Sequence, residues 1–102
     1  LVITNDKKNR RLAGATRDIM NTDPLAEKWL AFGMAVTECD GNDMASVVSA
    51  IEGLTANGKP NVIIAHTTKG AGVSFIQGRP EWHHRVPKGE EIELALEELK
   101  DE

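Results

Sequence analysis

The run NVIIAHTT at residues 61–68 constrains the fold more than any other part of the sequence. It is short, apolar and rich in β-branched residues, and it lies between Pro60 and a glycine-rich segment. A continuous apolar run of this length is typical of a strand that is covered on both faces, as strands in parallel sheets are. We therefore predict a buried strand here, in a sheet that carries helices on its faces.

Two further strands and three helices are predicted around this run. LVIT at 1–4 and MAVTEC at 34–39 have the length and composition of strands. Pro24 opens the first helix with Asp23 as its predicted N-cap, and Asp40 and Asp43 are interpreted as turn and N-cap residues before the second. The apolar residues that recur at helical spacing are Leu25, Trp29 and Phe32 in the first helix, Met44, Val47, Val48, Ile51 and Leu54 in the second, and Ile92, Ala95, Leu96 and Leu99 in the third.

The predicted order is β, long loop, α, β, α, β, glycine loop, α. This alternation favours an α/β fold with a mostly parallel sheet and right-handed crossovers. Trp29 and Phe32 are interpreted as core side chains, because they share one face of the first helix.

The composition is that of one small globular domain. The chain has 102 residues, of which 40% are hydrophobic and 27% are charged, so neither wholesale disorder nor a fibrous repeat is indicated. A formal net charge of -4 argues against a nucleic-acid partner. No run is long enough to span a bilayer, no secretion signal is recognised, and the single cysteine, Cys39, is interpreted as a reduced, semi-buried thiol. We expect a cytoplasmic protein without a membrane partner. Because Leu1 enters a strand at once, we also expect a fragment or a separate subunit piece.

Two polar segments follow strands and are longer than a connection requires. They are NDKKNRRLAG at 5–14 and the stretch from TTKGAGVSF at 67–75 to EWHHRVP at 81–87. In open parallel sheets, ligands bind beyond the carboxyl ends of the strands. Gly70 and Gly72 would let backbone amides approach a phosphate, and Lys69 and His83 could add charge or hydrogen-bond donors. A plain turn is the other interpretation of the glycines, and a solvated loop is the simplest interpretation of the basic run at 7–11.

Three stretches together resemble the thiamine-diphosphate-binding domain of transketolases, in particular the N-terminal subunit of the two-chain forms. They are PLAEKWLAFGMAVTECDGND, KPNVIIAHTTKGAGVSF and EWHHRVP, in that order along the chain. The resemblance implies a partial parallel-sheet thiamine-diphosphate-binding fold, in which residues 1–102 form the C-terminal portion of a single domain. It also implies an enzyme that transfers a two-carbon ketol unit from a ketose phosphate to an aldose acceptor. The cofactor would carry that chemistry, and the protein would bind, align and polarise it.

The resemblance assigns roles to single residues of the second polar segment. His83 matches a histidine that reaches the diphosphate and the substrate side of the cofactor, so it is the predicted catalytic and cofactor-binding residue. Lys69, Gly70 and Gly72 are predicted to shape the loop on the cofactor side and to contact the cofactor. His84 has no such counterpart and is interpreted as a polar residue at a loop surface.

The resemblance also implies a divalent cation, Mg²⁺ or alternatively Ca²⁺ or Mn²⁺, with hard oxygen ligands. Counted back from Gly14 without a gap, the asparagine that binds the cation in the family falls on Lys8; with one residue deleted it falls on Asn9. We prefer Asn9 as a metal and cofactor ligand, with the main-chain carbonyl of Arg11 as the next ligand. Ala13 stands where the family has an aspartate, and the family's GDG motif is expected upstream of this chain.

Partners and alternatives follow from the same resemblance. The cofactor is held between two domains in the family, so the chain is expected to need a C-terminal transketolase subunit, to form a dimer of heterodimers, to act on sugar phosphates and to be inactive alone. The pathway could be the pentose phosphate route or a specialised catabolic one. One alternative is another thiamine-diphosphate enzyme, such as deoxyxylulose-phosphate synthase or a dehydrogenase first component, which EWHHRVP disfavours. The other is a non-catalytic α/β remnant or interaction module, which Lys8 and Ala13 favour.

Overall fold

The fold is described from a computed structural model, which describes residues 1–6, 10–11, 14–15 and 20–100. The elements, in chain order, are the strands β1 (Val2–Asn5), β2 (Arg10–Arg11) and β3 (Gly14–Ala15), helix α1 (Leu25–Ala31), strand β4 (Ala35–Asp40), helix α2 (Met44–Glu52), strand β5 (Asn61–His66), a 3₁₀ helix (Pro80–His83) and helix α3 (Glu90–Glu98). The predicted order of strands and helices is confirmed. The short antiparallel pair of β2 and β3 lies inside the segment for which the sequence predicts a loop.

The main sheet has three parallel strands in the order β1-β5-β4, so the predicted parallel α/β architecture is confirmed. Strand β5 is central, and Val62, Ile63, Ile64 and Ala65 are 0 to 5% exposed. Neighbouring residues of a strand point to opposite faces, so both faces of β5 are covered, as its continuous apolar run predicts. Burying a valine or isoleucine side chain contributes about 1.5–3 kcal/mol, which makes β5 the main source of stability in the sheet.

The ends of the first two helices show which local signals hold. Asp43 caps α2 as predicted, because its carboxylate accepts a hydrogen bond from the Ala45 amide at 3.1 Å. The prediction for Asp23 is wrong: Pro24 is the N-cap residue of α1 and no side chain caps this helix. The helix begins one residue later than predicted, which leaves the Asp23 carboxylate outside the capping position.

The helices bury less of their apolar faces than their periodicity predicts. Helix α1 packs on β4, and α2 packs on β4 and β5. Ala50 is the only buried residue of α2, and α1 and α3 bury none. The prediction that Phe32 is a core residue is wrong, because its side chain is 75% exposed and its ring contacts only the edge region of half-buried Trp29, 5.9 Å away between centroids. Three strands offer too little sheet surface to cover every apolar side chain of the helices.

Cys39 is a free, half-buried thiol, as predicted. Among the residues described, no helix has the length and apolarity needed to cross a membrane.

Candidate functional site

The carboxyl ends of the three parallel strands lie side by side, which brings the two polar segments to one edge of the sheet. Asn5 pairs with His66, and His66 pairs with Asp40. The Thr67 amide donates to the Asn5 carbonyl at 3.1 Å, and the Gly41 amide donates to the His66 carbonyl at 2.8 Å. The segment after β1 and the segment after β5 therefore start next to each other, as the sequence predicts.

The segment after β5 is folded on itself by backbone hydrogen bonds. The Gly78 amide donates to the Lys69 carbonyl at 3.0 Å, which closes the loop at its base. Gly70 has φ of +67°, and a Cβ at this position would lie 2.6 Å from Ile76 Cγ2. Packing inside the loop therefore accounts for Gly70, whereas the sequence leads us to expect close approach to a phosphate. Gly72 also lies in this loop, with φ of +90°.

Lys69 and His83, which lie fourteen residues apart in sequence, meet at the surface of this loop. Lys69 Nζ lies 2.6 Å from His83 Nδ1. An ammonium group can only donate, so Nδ1 of His83 accepts and the ring is neutral with its hydrogen on Nε2. His83 is exposed. The pair thus presents a cation and an imidazole N–H donor to solvent, which together suit an anionic ligand.

Trp82, directly before His83, is the buried residue of the 3₁₀ helix, at 8% exposure. Its ring meets the Phe75 ring edge-on, with 5.2 Å between centroids. Exposed His84 stacks edge-on against His83 at 4.5 Å between centroids and makes no described contact with Lys69. This placement is consistent with different roles for the two histidines.

Helix α3 is tied to the loop by two glutamates. Glu98 accepts hydrogen bonds from the Ser74 hydroxyl at 2.5 Å and from the Ser74 amide at 2.6 Å. These two bonds, with the hydroxyl contributing more, lower the pKa of the Glu98 carboxyl below its ordinary value. Glu91 forms an ion pair with Arg85 and accepts a hydrogen bond from the Lys88 amide at 3.0 Å.

A cleft of about 680 Å³ opens at the carboxyl ends of β4 and β5. It is lined by residues 38–40 and 66–68, with Asn42, Ala71 and Gln77. His66 Nε2 lies 2.8 Å from Glu38 Oε1, so the ring donates to the carboxylate, while its Nδ1 is buried without a hydrogen-bond partner. The sequence predicts a locally bonded His66, but its partner lies on the neighbouring strand.

The predicted site residues do not line this cleft, apart from the neighbourhood of Thr68. Sequence reasoning does not single out Glu38. The one signal in the sequence is that both Glu38 and His66 stand near the ends of predicted strands, where parallel pairing can bring them together.

The predicted metal ligands are not tested by the structure. Asn9, Lys8 and Ala13 lie outside the described residues, and Arg11 is the second residue of β2. Within the described part of the chain, no three or more histidine, cysteine, aspartate or glutamate side chains are grouped so that they could hold a metal ion.

Comparison with known protein families matches residues 1–100 to the family described as transketolase, thiamine diphosphate binding domain. The chain belongs to this family. It is 68% identical over its whole length to one of the subunits of apulose-4-phosphate transketolase from Actinobacillus succinogenes, of which it covers 37%. It is 35% identical to the subunit of the same name from Phocaeicola vulgatus over 99% of this chain and 36% of the relative. It is also 36% identical over its whole length to 6-deoxy-6-sulfo-D-fructose transketolase subunit SqwG of a Clostridium species, of which it covers 38%.

The chain thus spans between 36% and 38% of the length of these curated relatives. The family membership confirms the resemblance seen in the three sequence stretches, and it covers both polar segments at the carboxyl edge of the sheet.

Proposed function

We propose that this chain is part of the thiamine-diphosphate-binding subunit of a transketolase, and that residues 1–102 form a portion of a single domain. Its reaction is the transfer of a two-carbon ketol unit from a ketose phosphate to an aldose acceptor. The family match and the names of the relatives support this proposal. The observation that carries it is the Lys69–His83 pair at the carboxyl edge of a parallel sheet.

The residues at this edge fit a diphosphate group. Lys69 supplies a cation and His83 supplies an Nε2 hydrogen-bond donor, and both belong to one closed loop. Charge-assisted hydrogen bonds to phosphate oxygens are stronger than neutral ones. We assign Lys69 and His83 to the diphosphate, together with the backbone at Gly70 and Gly72. When bound, thiamine diphosphate supplies the carbanion-stabilising chemistry of the transfer.

The role of His83 follows from its tautomer. Because Lys69 occupies Nδ1, the ring can donate at Nε2 without first gaining a proton. A phosphate oxygen or a sugar oxygen is the matching acceptor, so His83 orients and holds the group that carries negative charge. Lys69 has a second role, because it keeps the ring in this tautomer.

We place the divalent cation, Mg²⁺ or else Ca²⁺ or Mn²⁺, at the Asn9 side chain and the Arg11 carbonyl. Amide and carbonyl oxygens are suitable ligands for such hard ions. Both residues belong to the segment that follows β1, whose carboxyl end adjoins that of β5.

The substrate and the partners are inferred from the relatives. We propose a sugar phosphate substrate, with apulose 4-phosphate as the first compound to test, because the 68% identical relative is named for it. Each of these relatives is named as one subunit of its enzyme, which supports a second chain, the C-terminal transketolase subunit, in the complex. We propose a dimer of such heterodimers in the cytoplasm, with the isolated chain inactive.

The test compares two adjacent histidines in the full-length protein with its partner subunit. His83→Ala should weaken the affinity for thiamine diphosphate by at least about tenfold, the cost of a hydrogen bond to a charged group. His84→Ala is the matched control, and its affinity should change by less than about twofold, because its ring has no described contact with Lys69. Affinity is measured by calorimetry in the presence of Mg²⁺, and ketol transfer by a coupled assay.

Equal losses in the two variants would contradict the assignment of His83. A folded complex that binds no thiamine diphosphate would refute the enzyme function altogether and favour the interaction module.

A further inference from the structure

The position of His83 depends on the aromatic ring that precedes it in the chain. Trp82 is the only buried residue of the 3₁₀ helix Pro80–His83. Its ring packs edge-on against Phe75, which belongs to the folded loop. A rotation of the indole would move the backbone of the next residue, so the packing of Trp82 controls where the His83 ring lies relative to Lys69.

Arg85 lies over the Trp82 ring, with 4.2 Å between the guanidinium carbon and the ring centroid. This is the geometry of a cation–π contact. The guanidinium also forms an ion pair with Glu91, whose other carboxylate oxygen accepts from the Lys88 amide. Arg85 is therefore held at both ends, by an aromatic face and by a carboxylate that is itself fixed to the backbone.

Helix α3 supplies the anchor for this arrangement through charge, because none of its residues is buried. Glu91 and Glu98 lie two helical turns apart, so their side chains are on the same face of the helix. Glu98 bonds to Ser74 near one end of the segment and Glu91 bonds to Arg85 near the other. The two carboxylates thus fasten both ends of the stretch that contains Phe75, Trp82 and His83.

We propose that Arg85 is a positioning residue for His83: it fixes the Trp82 ring and so keeps His83 Nδ1 within reach of the Lys69 ammonium. This inference rests on the proposed function, in which His83 holds the diphosphate. Arg85 itself does not touch the cofactor. Its effect on cofactor affinity passes through His83, and it disappears when His83 is absent.

The experiment is a double-mutant cycle on the full-length protein with its partner, with thiamine diphosphate affinity measured by calorimetry. Arg85→Met removes the charge while retaining a long side chain, and Arg85→Lys retains a cation. In the presence of His83, Arg85→Met should weaken the affinity about fivefold, and Arg85→Lys should recover part of this loss. In the His83→Ala background, Arg85→Met should change the affinity by less than about twofold.

Two glutamates of α3 provide a matched pair. Glu91→Gln releases Arg85 without altering it and should weaken the affinity in the same direction. Glu97→Gln breaks the neighbouring surface ion pair between Glu97 and Lys100, which makes no described contact with the loop, and should leave the affinity unchanged. If Arg85→Met fails to fold, Glu91→Gln carries the test.

A second readout needs no cofactor. In the unloaded complex with ¹⁵N-labelled histidine, the His83 signals should show hydrogen on Nε2 alone, and Arg85→Met should produce a mixture of tautomers. An equal affinity loss from Arg85→Met with and without His83, or no loss, would overturn the positioning role while leaving the proposed function in place. An unchanged affinity in His83→Ala would overturn both.

Discussion

Replacing Gly70 with alanine should open the loop that carries Lys69 and His83. Gly70 has φ of +67°, and an added Cβ would lie 2.6 Å from Ile76 Cγ2 and 3.2 Å from the Ile76 carbonyl carbon. A non-glycine residue in the left-handed region costs about 1–2 kcal/mol. Overpacking adds about 1–3 kcal/mol, because the branched Ile76 side chain cannot rotate its Cγ2 away freely. We expect Gly70→Ala to lower the free energy of unfolding by about 2–4 kcal/mol, after allowing for the reduced entropy of the unfolded chain.

Gly78→Ala is the matched control, because Gly78 has φ of +69° in the same loop but nothing within 4 Å of an added Cβ. It should cost only the backbone part, about 1 kcal/mol. Urea denaturation followed by tryptophan fluorescence measures both values, and Ile76→Ala combined with Gly70→Ala should show favourable coupling. If Gly70→Ala is no more destabilising than Gly78→Ala, the contact with Ile76 does not determine this glycine.

Two further predictions concern hydrogen bonds that fasten the loop and the turn before α2. The pKa of Glu98 is lowered by Ser74, so the stabilisation from this bond is present above the unfolded-state pKa of the carboxyl and is lost as pH falls through the folded-state value. Ser74→Ala should raise the pKa of Glu98 in ¹³C NMR titrations; an unchanged pKa would contradict the account. Asn42→Ala removes the acceptor of the Thr68 amide, 2.6 Å away and 26 residues on, and should lower the free energy of unfolding by about 1 kcal/mol in urea denaturation. Asn57→Ala, which removes a bond only two residues along the chain, should cost less, and an equal cost would refute the long-range tie.

The site was predictable from the sequence to an uneven degree. His83 and Lys69 are identified from their motifs, and the structure places them in contact. The Glu38–His66 pair is not identified, because it joins side chains 28 residues apart and depends on the pairing of β4 with β5. The metal ligands Asn9 and Arg11 remain predictions from the family resemblance.

Local pattern determined the elements themselves. The apolar run of β5 and the helical periodicity of α2 and α3 depend on residues close together in the chain, so the sequence alone predicted where these elements lie. The parallel order could also be anticipated, because alternating strands and helices leave few other arrangements.

Only the tertiary structure decided which apolar faces are covered and which polar groups meet. Periodicity shows that a helix has an apolar face, but burial requires a partner surface, and Phe32 and Met44, both 75% exposed, have none in the described fold. Strand register decided that His66 meets Glu38, and loop packing decided that Gly70 faces Ile76. The Arg85 and Glu91 contacts that surround Trp82 likewise depend on where α3 lies against the loop, which local sequence does not specify.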